Sequence, residues 1–292
     1  MKLLKKILGA ILSDKNNREE VSPINVEGDE KELAGDLFLE SEDSVTITLF
    51  ESDCTVYDSK VGGLPYMPKN FQYPMDLRSG REDKPLGFLA QINLEQLPPL
   101  NGFPKYGILQ FFIGTDCLFG LDVENPTTEN GFRVIFHEEL HKEDHLLKKL
   151  PVSLNSECVS PVMKELKMGF TPAESVIAFS DFRFDKALLE AYRVIDPMVT
   201  SIDQIPSEIL DKMDELCNAS GSRIGGFPLF TQSDPRNEEM GTSDYTILLL
   251  QLDSDAKKQV MWGDEGVGNF FIRPKDLQAR DFEHVLYNWD CY

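Results

Sequence analysis

From Ser44 to Phe50 polar and apolar residues alternate, the period of a strand that buries a single face. Residues 88–94 and 107–114 are instead near-continuous apolar runs of strand length, separated by the turn signals Pro98-Pro99 and Asn101-Gly102. Residues 131–136, 175–179, 245–252 and 267–272 read the same way. Helical spacing of apolar positions is confined to short stretches over 185–192 and 207–216, with a further turn over 274–279. Pro206 stands at the start of the second stretch and Gly221 lies beyond its end. Between Gly62 and Pro74, glycine and proline exclude helix and predict an ordered, extended loop crossing the sheet. Strands outnumber helices and long βαβ alternation is missing. The expectation is therefore an α+β fold, mostly antiparallel β-sheet with a few helices.

Part of this pattern occurs twice. Ser59-Lys60-Val61-Gly62-Gly63-Leu64-Pro65 returns as Ser222-Arg223-Ile224-Gly225-Gly226-Phe227-Pro228. A strand-like run containing Gln91 is answered by one containing Gln251, and Phe111-Phe112-Ile113 by Phe270-Phe271-Ile272, in the same order and at similar spacing. The expectation is an internally duplicated, pseudo-two-fold architecture. Residues 41–292 then form one domain made of two related halves, about 44–180 and 181–292, preceded by a tail or short helix over 1–40. Gly62, Gly63, Pro65 and their counterparts Gly225, Gly226, Pro228 read as tight turns that need left-handed backbone or close packing. Gln91 and Gln251, each inside an apolar run, are expected to bond their amides to backbone.

Composition narrows the function classes. The chain has 292 residues and a formal charge of −21, which repels phosphate backbones and excludes direct nucleic-acid binding. An acidic surface fits solubility, or capture of a basic protein partner. The five cysteines are scattered with no C-x-x-C pair, so reduced thiols in a cytoplasm are expected. Residues 1–12 set Lys2, Lys5 and Lys6 among apolar positions at helical spacing; they are too few to span a bilayer, and no stable membrane insertion is expected. Oligomeric state is not legible.

His137-Glu138-Glu139-Leu140-His141 matches H-E-x-x-H literally. In a zinc protease that spacing sets two imidazoles on one face of a helix, with the glutamate activating metal-bound water. Here the preceding residues 132–136 have strand composition and no metzincin extension follows, so a solvated charged segment is preferred and no metal or cofactor is expected. A helix over 137–150 remains the alternative, with His137 and His141 as ligands. No G-x-S-x-G elbow occurs, and His284 is the single histidine outside the 137–145 cluster, which gives no recognisable nucleophilic triad. Trp262-Gly263-Asp264-Glu265-Gly266 reads as a hairpin turn, with Trp262 and Asp264 as candidates for a ligand or partner surface.

Lys60-Val61-Gly62-Gly63-Leu64-Pro65 with Pro74, the runs from Pro85 to Leu94 and Gly107 to Phe112, Gly225-Gly226-Phe227-Pro228, and Trp262 to Gly266 leading into Phe270-Phe271-Ile272 together resemble the bacterial YwqG-like proteins, over about residues 44–292. That resemblance implies a fold and no established active site. Neighbourhood with toxin systems in some members implies an immunity or accessory role. The leading expectation is a non-catalytic, cytoplasmic protein-binding module for a basic partner. The alternatives are a metal-dependent hydrolase using His137, Glu138 and His141, and a small-molecule binder in the cleft between the halves.

Overall fold

The computed structural model describes residues 41–69, 71–140, 159–193 and 195–292. Alternation at 44–50 becomes β1 (Ser41–Phe50), and the apolar runs become β3 (Gly87–Asn93), β4 (Ile108–Ile113), β5 (Phe132–His137), β8 (Ile247–Asp253) and β9 (Val267–Ile272). Four strands complete the set: β2 (Lys60–Val61), β6 (Leu166–Val176), β7 (Arg223–Gly225) and β10 (Val285–Asp290). All pair antiparallel in one ten-stranded sheet, in the order β10-β9-β8-β7-β1-β6-β2-β3-β4-β5.

The expected fold class, an internally duplicated α+β architecture, is corrected by this sheet. Among the described residues the fold is essentially all antiparallel β, and its helices α1 (Phe184–Tyr192), α2 (Ser207–Leu216) and α3 (Pro274–Ala279) are short attachments. The helical periodicity is real, but α1 and α2 fill a single connection between β6 and β7, where they bury Phe184, Leu188 and Met213 in a small core of their own. The centre of the sheet is the long pair β1 and β6, in register from Ser41 opposite Val176 to Phe50 opposite Lys167. On its far sides β1 meets β7 and β6 meets β2.

The sheet curls until its two ends face each other across one core, nearly closing a barrel. Phe111 of β4 lies 4.9 Å, centroid to centroid, from Phe270 of β9, and Phe132 of β5 lies 5.1 Å from Tyr287 of β10. Burying each such ring contributes about 1.5–3 kcal/mol, so this cross-core layer is what holds the curl. The edges are stitched through the loop between β4 and β5 and not by ladder pairing. Tyr287 N donates to Pro126 O at 2.9 Å, the Tyr287 hydroxyl to Phe119 O at 3.1 Å, and Trp289 Nε1 to Leu118 O at 2.7 Å.

Candidate functional site

The matched glycine and glutamine segments sit where β2 and β7 join the sheet. Gly62, Gly63, Gly225 and Gly226 have φ of 63°, 72°, 67° and 69°, the left-handed region that favours glycine. A Cβ on Gly63 would collide with the Glu165 side chain, and one on Gly226 with Ser175. Pro65 and Pro228 are buried behind these turns. Gln91 Nε2 donates to Val56 O and Asp58 O, both at 2.8 Å, while its Oε1 accepts from Tyr66 N at 2.9 Å. Gln251 makes the corresponding set: Nε2 to Ala219 O and Gly221 O, both 2.7 Å, and Oε1 from Leu229 N at 2.7 Å. Both amides are fully buried and their bonding capacity toward backbone is used, so they clamp the turns and offer nothing to a ligand.

His137 is the last residue of β5, not the first of a helix. Its Nε2 lies 2.9 Å from Gln110 Oε1. Because Gln110 Nε2 donates to Tyr66 O at 2.7 Å, Oε1 is an acceptor and His137 Nε2 carries the proton. The ring stands edge-on to Tyr66, at 5.2 Å between centroids, and burial lowers its pKa to about 4. It is a neutral, packed imidazole. His141 lies outside the described residues. Glu138, the base of the hydrolase alternative, is exposed and pairs with Arg280.

Trp262 departs from its expected place on a ligand or partner surface. The indole is fully buried, edge-on to Phe119 at 5.4 Å, and Asp264 alone of the two is exposed. Gly268 faces the indole with no room for a Cβ between them, which is why the glycine-bounded turn packs inward. Two further features invite a ligand. Asp276, Asp281 and His284 bring ligand atoms within 4.8 Å of one another, but Asp276 is held by Arg273, and His284 Nδ1 is 3.0 Å from Asp281 Oδ2. A cavity of about 470 Å³ has Phe103, Ile247 and Leu277 in its lining and Arg280 among its polar groups. That arginine is already neutralised by Glu138.

Sequence reading missed the buried ions. In Asp76-Leu77-Arg78, Asp181-Phe182-Arg183 and Asp234-Pro235-Arg236 the arginine bonds the aspartate two residues before it through both its backbone N and its Nε, at 2.8–3.0 Å. The tripeptide Asp-x-Arg, met three times, is the signal that could have found them. Arg236 is completely buried, donates from Nη2 to Asp181 at 2.7 Å and to Asp234 at 2.6 Å, and lies over the ring of Phe271 at 4.5 Å.

Comparison with known families gives a match over most of the chain. The family model described as a domain of unknown function, DUF1963, matches residues 59–291. The chain belongs to this family. No curated protein matches it. The matched range leaves out β1, although β1 lies at the centre of the DUF1963 sheet.

Two features of this DUF1963 chain remain electrostatically conspicuous. Glu129, just before β5, accepts from Val285 N at 3.2 Å across the seam, while its other oxygen lies 3.4 Å from Arg133 Nη1. Its side chain is 7 % exposed, and desolvation raises its pKa from 4.5 to about 7 against the opposing pull of Arg133. A carboxyl raised in the folded state favours folding most below pH 4.5, where it is protonated in both states, and this contribution is lost as pH rises through about 7. Glu129→Gln is therefore expected to stabilise the protein by about 1–3 kcal/mol at pH 8 and to change little near pH 4. Urea unfolding at both pH values checks this; equal effects at the two would contradict it.

The other feature is the connection carrying α1 and α2. Asp185, Glu190, Asp196, Asp203, Glu208, Asp211 and Asp214 are exposed there, against Lys186 and Arg193 as the exposed cations whose side chains are described. Phe179, Phe182 and Met198 of the same connection are exposed, Met198 by 82 %. Neither helix carries a basic residue in its last turn, where the helix dipole favours one. No helix among the described residues is long and apolar enough to cross a membrane.

Proposed function

We propose that this DUF1963 protein is a non-catalytic, cytoplasmic protein-binding module that captures a basic partner, in keeping with its resemblance to YwqG-like proteins and with an immunity or accessory role. The observation that carries this reading is the α1 and α2 connection, which exposes many carboxylates and few cations together with the apolar side chains Phe179, Phe182 and Met198, on a molecule of net charge −21. Surface charge speeds encounter and selects the partner's sign, while exposed apolar side chains supply the burial that gives residence time. The histidine geometry counts against the hydrolase alternative. His137 is neutral, its Nε2 is engaged by Gln110, and it ends a strand.

The test is affinity capture on the immobilised full chain at about 0.15 M salt, where a Debye length of about 8 Å leaves short-range charge contacts intact. Proteins of basic isoelectric point are expected to be retained, and a Glu190→Lys, Asp211→Lys, Asp214→Lys variant is expected to lose them. Retention of the same proteins by both forms, or of none by either, would refute the proposal.

A further inference from the structure

The cavity of about 470 Å³ opens where the loop between β3 and β4 meets α3 and the start of β8. Its volume lies in the range of small-molecule sites, about 300–1,000 Å³. Phe103, Pro104, Ile247 and Leu277 give it an apolar lining. Leu277 belongs to the main core and Phe103 and Ile247 pack against it, so the fold fixes that lining in place. The charge in the lining is Arg280.

Arg280 is held along one edge and open along the other. Its Nη1 pairs with Glu138 and donates to the Tyr106 hydroxyl at 3.3 Å, with the guanidinium carbon 5.4 Å from the centre of the Tyr106 ring. Its Nε and Nη2 bond nothing among the described residues. That open edge is the one three other arginines of the chain use for carboxylates. Arg78, Arg183 and Arg236 each grip an aspartate through Nε at 2.8–2.9 Å and through Nη2 at 2.6–2.7 Å, the two-point geometry that makes such pairs strong. Glu138 does not exhaust the arginine either, since Arg236 carries Asp181 and Asp234 together and Arg78 carries Asp76 and Asp116. The backbone of Arg280 is itself left-handed, φ 57°, at the C-cap of α3, where glycine is the usual residue. The side chain kept at that strained position is the cation of the cavity.

We propose that this cavity binds a small carboxylic acid with an apolar body, aromatic or branched, whose carboxylate takes the open Nε and Nη2 edge of Arg280 while its hydrocarbon part covers Phe103, Ile247 and Leu277. The net charge of −21 opposes any anion, but at about 0.15 M salt a Debye length of about 8 Å confines the opposition to near neighbours. Among these neighbours Lys105 and Lys275 are exposed, each next in sequence to a lining proline. The Glu138 pair is exposed, the kind that contributes little, and does not bar a second carboxylate. The site uses no residue of the α1 and α2 connection and is independent of the basic-partner reading.

Titration of the full chain with phenylacetate, followed through backbone amide NMR shifts, tests this. Saturable shifts are expected at Gly102, Phe103, Leu277 and Gln278, with a dissociation constant on the order of 1 mM for a ligand of this size. Phenylacetamide keeps the shape without the charge, and acetate keeps the charge without the ring; each is expected to bind about ten-fold more weakly. Arg280→Gln is expected to lose the preference for acid over amide while keeping the weak affinity for the amide. Glu138→Gln is expected to bind phenylacetate several-fold more tightly, because the competing carboxylate on Arg280 is gone. Equal binding of acid and amide would overturn the proposal, as would acetate binding as well as phenylacetate. Shifts centred away from the cavity, or no saturation at ten times the expected constant, would do the same. An acid preference that survives Arg280→Gln would equally overturn it. Should that variant fail to fold, Glu138→Gln decides in its place, and unchanged or weaker phenylacetate binding there would sink the assignment.

Discussion

Arg236→Ala is expected to cost about 3–5 kcal/mol of stability. The guanidinium and the Asp181 carboxylate are fully buried, and Asp234 is 4 % exposed. Burial alone would raise the Asp181 pKa, yet Arg183 and Arg236 hold it below the ordinary carboxylate value. Removing Arg236 leaves Asp234 without its buried counter-ion and strips the cation from the face of Phe271, at a site where relaxation toward water is blocked. Since a domain of ordinary stability has about 5–15 kcal/mol in hand, the variant should unfold at markedly lower urea. Arg236→Met combined with Asp234→Leu should recover part of the loss, because an apolar replacement of a buried pair leaves no orphaned charge. A midpoint for Arg236→Ala equal to wild type would show that the pair contributes nothing.

The second large effect is expected at Gln251. Gln251→Leu preserves bulk but leaves Leu229 N, Ala219 O and Gly221 O without their partner. Each buried orphan costs about 1–3 kcal/mol, so a loss of about 3–6 kcal/mol is expected, with the denaturant slope unchanged. Gln251→Glu separates shape from hydrogen bonding: it keeps the acceptor for Leu229 N but turns a second acceptor toward two carbonyls, and should be nearly as damaging. Gln91→Leu orphans Tyr66 N, Val56 O and Asp58 O in the same manner on the other flank. An unaltered urea midpoint in all three variants would remove the clamp from the account of stability.

How much of this was legible in the sequence depended on whether a local pattern had room to repeat. The alternation at 44–50 and the apolar runs at 88–94, 107–114 and 267–272 carry enough residues to declare a strand, and strands stand there. The two-residue β2 and three-residue β7 carry no period; what marks them is the glycine pair that follows. β6 was obscured by Gly169 and Pro172, residues that argue against a central strand, yet Pro172 lies opposite Val45 in the middle of the sheet. The α+β label failed because helical periodicity at 185–192 and 207–216 says that helices form and not how much of the fold they carry. For the site, residue type misled in two places. The literal H-E-x-x-H begins with a histidine that the Gln110 amide and two aromatic rings draw into the core, and the aromatic residue of the Trp-Gly-Asp-Glu-Gly turn points inward because Gly268 makes space for it. Charge was readable only in bulk. Its concentration on α1 and α2, and the burial of Arg236, depend on which residues the fold covers.

The placement of β1 has a consequence for how the protein is made. Among the described residues it is the earliest strand to leave the ribosome, yet both its neighbours come late, β6 ending at Val176 and β7 at Gly225. At about 5–20 residues per second, translation from Phe50 to Val176 takes about 6–25 s, during which Val45, Ile47 and Leu49 have no sheet to join. A nascent chain holding such a strand unpaired is a natural client for a holdase chaperone, and slowing elongation downstream of β1 should lengthen that exposure and lower the soluble yield.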